Sequence, residues 1–297
     1  MELYKTFSKN LIIALLILFI IILVAFLPEY YTLDFSLIPF NISSDLNFQI
    51  LFQNIIDYIK NVFSGNLGTT TSGLAVELLV SEAFIRSIYL IAFSFLISIF
   101  LGVFLSLITS LNKGSSKIYN FISSIGISIP NVFLIISLQS LIVYLHTSGA
   151  NSLPLSGSDS FRHMILPIIS LSIIPTVYVS KSCMKEIDNI MKKDYIKTSI
   201  SKGSSKVRIL FLHVLKNLYN EILNSADYIV TLLLSSLLIV EYFFSYSGLA
   251  FLTYKSFQRN EPELLIACSF VFGLIYYSFK LIKFLVKTKI INNLREV

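Results

Sequence analysis

The strongest constraint in this 297-residue chain is a series of long apolar runs, the first of which, Leu11 to Leu27, contains no polar residue at all. A bilayer core is crossed by about twenty apolar residues in a helix, so this run is just long enough to span with help from the flanking Lys5 and Lys9. Comparable runs follow at Ser87 to Leu111, Tyr119 to Leu145, Phe161 to Cys183, Leu218 to Phe243 and Glu263 to Val286. With 55% hydrophobic and 13% charged residues and a mean hydropathy of +0.78, the chain has too little polar surface for a soluble globule. The expected fold is an all-α polytopic membrane protein with six transmembrane helices. Residues 1–297 read as a single transmembrane domain: a first helix to residue 27, an external segment over 28–82 and a core over 83–297 that contains a cytoplasmic loop at 185–216. No small-residue cleavage site precedes Pro28, so the first helix is expected to remain uncleaved.

Charge sets the orientation. Lys60, Arg86, Arg162, Lys255 and Arg259 fall on one side of this topology and the other eighteen basic residues on the opposite side. Cytoplasmic loops of membrane proteins carry the excess of Lys and Arg, so both termini are expected on the cytoplasmic side of the cell membrane. The +6 net charge is thereby accounted for as topology and implies no nucleic-acid partner. Glu29 to Glu82, with six acidic residues and one lysine, is expected outside. Within it, Ser44 can cap a helix whose face of Leu51, Ile55, Ile59 and Val62 would lie along the outer membrane surface. Cys183 and Cys268 sit in or beside apolar runs without a CxxC spacing and read as small buried hydrophobes. Three prolines fall inside spans: Pro130 as a kink in the third, Pro167 and Pro175 as interruptions of the fourth. Asp227 is the one carboxylate well inside a span. Such a charge is costly in lipid, so it either faces a water-filled cavity or a partner subunit, or is hydrogen-bonded to Ser225 or to a facing helix.

Between the fourth and fifth spans lies KEIDNIMKKDYIKTSISKGSSKVRILFLHVLK, Lys185 to Lys216. Ile187, Ile190, Met191, Tyr195 and Thr198 recur at spacings of three and four, which predicts a helix with a narrow apolar stripe. Gly203, with Lys202 in the last turn, is the chemistry of a helix end, and Ser204 and Ser205 suit a turn or the next N-cap. The expected unit is a short helix, a sharp turn and a second amphipathic segment from Val207 to Leu215. From periodicity alone it reads equally as an interfacial loop touching anionic lipid.

The order of residues adds to this. DYIKTSISKG, followed ten residues after its glycine by HVLKN, resembles the signature loop of binding-protein-dependent ABC importer permeases of the oligopeptide, dipeptide and nickel branch. The matching positions are Asp194, Tyr195, Thr198, Lys202, Gly203, His213, Leu215 and Asn217. Ser199 and Ser201 stand where the family prefers alanine, and Lys216 where many relatives have proline. FSGNLGTT (Phe63 to Thr70), Ser128-Ile129-Pro130, LPLSG, HMILP (His163 to Pro167) and EYFFSYSGL (Glu241 to Leu249, with Ser247 in place of a proline) are also similar to the family. Its proline-glycine-aspartate-proline motif after the first helix is absent.

The resemblance covers about 220 residues from Phe63 onward and implies a type I permease fold. It further implies that the loop docks on a cytoplasmic ATPase subunit through Asp194, Tyr195, Thr198, Ser199, Ser201, Lys202, Gly203 and His213, and that Pro130 lies on the translocation pathway, for which Asp227 is a second candidate by its depth in a span. The implied partners are a second homologous permease subunit, two cytoplasmic ATPase subunits and an external solute-binding protein. The implied cargo is a short peptide, with nickel or a metal chelate as the alternative.

No GxxxxGK[ST] loop, HExxH or nucleophile elbow is present, so ATP is expected in the partner subunits and no covalent catalysis in this chain. The three histidines are scattered over distant segments and form no metal-ligand set. An ion-coupled secondary carrier, which would carry more buried ionisable groups or broken-helix repeats, and a membrane scaffold that has lost transport are the other classes open to such a chain.

Overall fold

In the computed structural model, the residues described are 16–17, 19–26, 31–34, 41–44, 48–111, 113–149 and 153–295. A helix over residues 19–26 (α1) is followed by strands β1, Tyr31–Asp34, and β2, Asn41–Ser44, and then by helices α2, Phe48–Phe63, α3, Val76–Leu111, α4, Lys113–Ser128, and α5, Asn131–Thr147. The second half holds α6, Phe161–Met191, α7, Asp194–Ser201, α8, Lys206–Ile209, a π-helical turn at Leu210–Val214, α9, Leu215–Phe243, α10, Leu249–Gln258, and α11, Pro262–Arg295. Four helices among the described residues are long and apolar enough to cross a membrane, and a fifth span is formed if α4 and α5 act as one. Most of the expected first span lies outside the described residues.

The chain divides into two compact units, residues 1–86 with 248–274, and residues 87–247 with 275–297. In the first, Ile22, Ala25 and Phe26 of α1 meet Leu51, Ile55 and Tyr58 of α2 and Ile266 of α11 in one buried cluster. The buried face of α2 therefore follows i, i+4, i+7 from Leu51, and Ile59 and Val62, expected on that face, are exposed. Burial, followed by the Glu263 carboxylate, pushes the Tyr58 phenol up to about 12. Ser44 does not cap α2: it lies in β2 opposite Tyr31, in a two-stranded antiparallel hairpin that the reading of 28–82 did not anticipate. The β-branched Thr32 and Ile42 suit such a hairpin. At the start of α11, Glu261 accepts hydrogen bonds from Thr71 (N–H 3.3 Å, Oγ1 2.5 Å), and Gly68, at φ +93°, approaches Glu263 so closely that a Cβ would stand 1.6 Å from its Oε2. The positive φ favours glycine there, since an L side chain would be strained in that conformation.

The core of the second unit is the pairing of α6 with α9. Here α3 presents Ser94, Ser98 and Gly102 at spacings of four, a row of small residues that lets helix backbones approach. The Ser94 and Ser98 hydroxyls donate to the Ile168 and Ser172 carbonyls of α6 at 3.3 and 3.2 Å, and a Cβ on Gly102 would stand 2.6 Å from Val179 Cβ. Pro167 and Pro175 do not interrupt the fourth span, because α6 runs through both. These two bonds fasten α3 to the stretch of α6 that holds both prolines.

The third span departs further from expectation. Pro130 marks a break rather than a kink, with the axes of the helices on either side bent by 101°. A proline biases the residue before it away from the helical region and offers no N–H, so α4 ends at Ser128 and α5 starts afresh at Asn131 with Pro130 as its N-cap. Asn131 Nδ2 then donates to Ser236 Oγ at 2.9 Å, and Gln139 Nε2 to the Phe243 carbonyl at 2.9 Å, seating α5 on α9.

The candidate coupling loop

The expected helix over Ile187 to Thr198 is two helices. Ile187 and Ile190 are buried at the end of α6, which stops at Met191 with Lys192 as its C-cap, and α7 starts at Asp194 after an extended Lys193. Two consecutive lysines complement the negative end of one helix dipole, and Asp194 in the first turn complements the positive end of the next, so the charges favour a break where the apolar period alone does not show one.

Helix α7 is anchored by Ile196, which is fully buried and which its apolar spacing did not single out. The remaining motif residues stand mostly in solvent. Asp194 pairs with Lys197 at 2.8 Å on an open surface where such a pair contributes little. The Thr198 and Ser201 hydroxyls donate back to the Asp194 and Lys197 carbonyls, both at 3.0 Å. The helix ends as glycine at this position predicts: the Gly203 N–H donates to the Ile200 carbonyl (2.9 Å), the Ser204 N–H to the Ser199 carbonyl (3.2 Å), and Gly203 has φ +82°. This paired closure with a left-handed residue is the Schellman arrangement, and Lys202 is its C-cap. Ser205 Oγ then accepts the Arg208 N–H at 3.4 Å and caps α8.

A π-helical turn at Leu210–Val214 joins α8 to α9, and His213 lies within it. Asn217 Nδ2 donates to the His213 carbonyl at 2.6 Å and reaches the Tyr195 hydroxyl at 3.4 Å, while the rings of Tyr195 and His213 lie 6.3 Å apart. The two halves of the motif thus meet in space, Tyr195 and Asn217 across a separation of 22 residues. Around them Tyr195, Ile200, Val207, Phe211 and Leu212 are exposed, whereas Ile209, Leu210 and Val214 are buried and tie the loop to the core.

Pro130 and Asp227 lie apart from this loop. Asp227 Oδ2 accepts a hydrogen bond from Lys283 Nζ of α11 at 2.6 Å, with the lysine side chain 16% and the aspartate 48% exposed. Its partner is therefore on a facing helix, a lysine counted above only among the cytoplasmic-side charges, and not Ser225, whose buried hydroxyl makes no hydrogen bond among the described residues. His163 closes the start of α6, with Nδ1 at 3.3 Å from the Ser160 N–H it accepts and 2.9 Å from Ser160 Oγ. Sequence reasoning also missed the bond from Ser87 Oγ to Glu241 Oε1 at 2.5 Å, although Glu241 opens a motif already noted.

Comparison with known proteins identifies the family. The dipeptide transport system permease protein of Lactococcus lactis subsp. cremoris is 25% identical over 236 residues, covering 78% of this chain and 77% of its own length. The glutathione transport system permease protein of Escherichia coli K12 is 23% identical over 237 residues, covering 79% and 76%. Among solved structures, the inward-facing methionine ABC transporter MetNI shares the fold with a TM-score of 0.52 at 16% identity, over 70% of this chain and 92% of that one. Residues 98–295 match the family described as binding-protein-dependent transport system inner membrane component. The chain belongs to that family and is a multi-pass permease subunit of an ABC importer.

Proposed function

We propose that this permease forms half of a translocation pathway for short peptides, driven by ATPase subunits that dock on the loop from Lys185 to Lys216. The observation that carries this reading is the loop's construction: a short helix held by Ile196, stopped by a left-handed glycine and braced by the Tyr195–His213–Asn217 contact, with apolar side chains left exposed around it. A rigid element with an unfilled apolar surface suits a protein groove better than a lipid headgroup layer, where lysines alone would suffice. The assembly comprises two permease subunits, two cytoplasmic ATPases that bind the ATP, and an external solute-binding protein. Closure of the ATPases biases the two packings of the permease pair through this loop. Peptide cargo is favoured over nickel or a metal chelate by relatives named for dipeptide and glutathione transport. The same reading assigns Pro130 and Asp227 to the pathway, Pro130 as the break that lets α5 seat on α9, and Asp227 as a half-exposed carboxylate poised on Lys283.

The test is co-purification of the ATPase subunits together with peptide uptake into membrane vesicles. Gly203→Val forces a β-branched residue into a left-handed position, at a local cost of roughly 1 kcal/mol or more that a helical bundle tolerates. Gly203→Val and Lys202→Glu are expected to leave expression near normal, to weaken ATPase retention and to uncouple hydrolysis from uptake. If both variants retain the ATPase and transport at the normal rate, the loop is a lipid-facing basic segment and the reading fails.

A further inference from the structure

The loop is one end of α9, and the other end holds a fully buried carboxylate. Glu241 and Ser87 are both 0% exposed, and Ser87 Oγ of α3 donates to Glu241 Oε1 at 2.5 Å. Just beyond Glu241 the helix closes in a second Schellman arrangement. The Tyr246 N–H donates to the Glu241 carbonyl (2.8 Å), the Ser245 N–H to the Tyr242 carbonyl (3.1 Å), and Ser245 takes a left-handed φ of +47°. Two other elements fasten onto the same turn. The Gly157 N–H donates to the Phe244 carbonyl at 3.1 Å, and Gln139 Nε2 of α5 to the Phe243 carbonyl at 2.9 Å. Phe244 and Tyr246, at 1% and 2% exposed, fill the junction.

An ionisable side chain retained at zero exposure within a span is not explained by stability alone, because apolar replacements of buried polar pairs are commonly tolerated. What it supplies is direction, since a carboxylate demands its donor at one place. Between this junction and the loop, α9 is a continuous helix of 29 residues, a rod roughly 43 Å long at 1.5 Å per residue. Asn217 at its start braces Tyr195 and His213, and Glu241 near its end holds α3.

We propose that Glu241 is a positioning residue for transport: through Ser87 its carboxylate fastens α3 to the far end of α9, beside the turn whose Phe243 and Phe244 carbonyls seat α5 and Gly157. A displacement delivered at the loop then moves these elements as one body. The inference rests on the coupling reading above, and its test separates the two. In the purified transporter in membranes, with the solute-binding protein loaded with a dipeptide, the wild-type chain should show ATP hydrolysis stimulated by that protein. Absence of stimulation in the wild type overturns the coupling reading and this inference together.

Given that stimulation, Glu241→Ala is expected to retain the ATPase and its basal hydrolysis while stimulation and uptake fall about tenfold, the scale of an ordinary coupling energy between sites. Glu241→Gln keeps an acceptor for the Ser87 hydroxyl and is expected to recover most of both. A Glu241→Ala transporter with wild-type stimulation and uptake overturns the proposal, and so does one in which basal hydrolysis and ATPase retention fall in parallel with uptake. Should Glu241→Ala fail to accumulate, Ser87→Ala decides: lowered stimulation over intact basal hydrolysis supports the proposal, and unchanged stimulation overturns it.

Discussion

The turns at Gly203 and at Ser245 are the same backbone device in opposite surroundings. Each closes a helix with a paired set of N–H donors and a left-handed residue. At Gly203 an added Cβ would meet nothing within 4 Å, and the neighbouring Lys202 and Ser201 are exposed. At Ser245 the residues on either side, Phe244 and Tyr246, are almost wholly buried. The first turn has little packing to hold a strained residue, so it uses glycine, for which the conformation is free. The second holds a serine in a conformation that costs an L-residue roughly 1–2 kcal/mol, because the side chains around it over-determine the path. The exposed turn leaves its surface open, and the buried one fastens elements together.

The comparison is tested most severely by removing an aromatic ring from each region. Tyr246→Ala empties a site in which the side chain is 2% exposed, and a loss of about 3–5 kcal/mol is expected, as for other large-to-small core changes. Tyr195 is 44% exposed, and Tyr195→Ala should cost under about 1 kcal/mol of fold stability while lowering ATPase retention. Thermal unfolding of the solubilised permease, read beside a pull-down of the ATPase, separates the two outcomes. Equal losses of stability would mean that the loop is built as a core and not as a surface.

How far the sequence showed this contrast follows from the kind of signal each region carries. The loop was legible because its chemistry is local: Gly203 after Lys202, and Ser205 ahead of α8, are end signals written within a few residues. Its split at Lys192 was not read, because the apolar period runs on across the break and only the charges mark it. Apolar length located the spans, but it cannot distinguish a kinked helix from two helices at 101°, since that geometry depends on where α5 finds partners on α9. The Ser94, Ser98 and Gly102 row was visible as a small-residue spacing and passed unread. The Glu241–Ser87 bond and the Asp227–Lys283 pair join residues 154 and 56 positions apart, and no local pattern encodes such a pairing. Their signal was an ionisable residue in or beside an apolar run, which marks a site without naming its partner.

The smallest expected effect is the most discriminating, because it changes a single backbone preference in each turn. Ser245→Gly removes the left-handed penalty but adds conformational freedom to the unfolded chain, and the two terms, roughly 1–2 and 0.4–1 kcal/mol, leave a net stabilisation between about zero and 1.6 kcal/mol. Gly203→Ala reverses both terms and should destabilise by a similar amount, with no steric addition because the space around its Cβ is open. For a chain of this size each change corresponds to a shift of only a few degrees in the unfolding midpoint, upward for Ser245→Gly and downward for Gly203→Ala. The signs carry the information. If Ser245→Gly lowers the midpoint, the serine side chain contributes a bond that outweighs its strained φ, and the junction at the far end of α9 is held by more than its buried rings and Glu241.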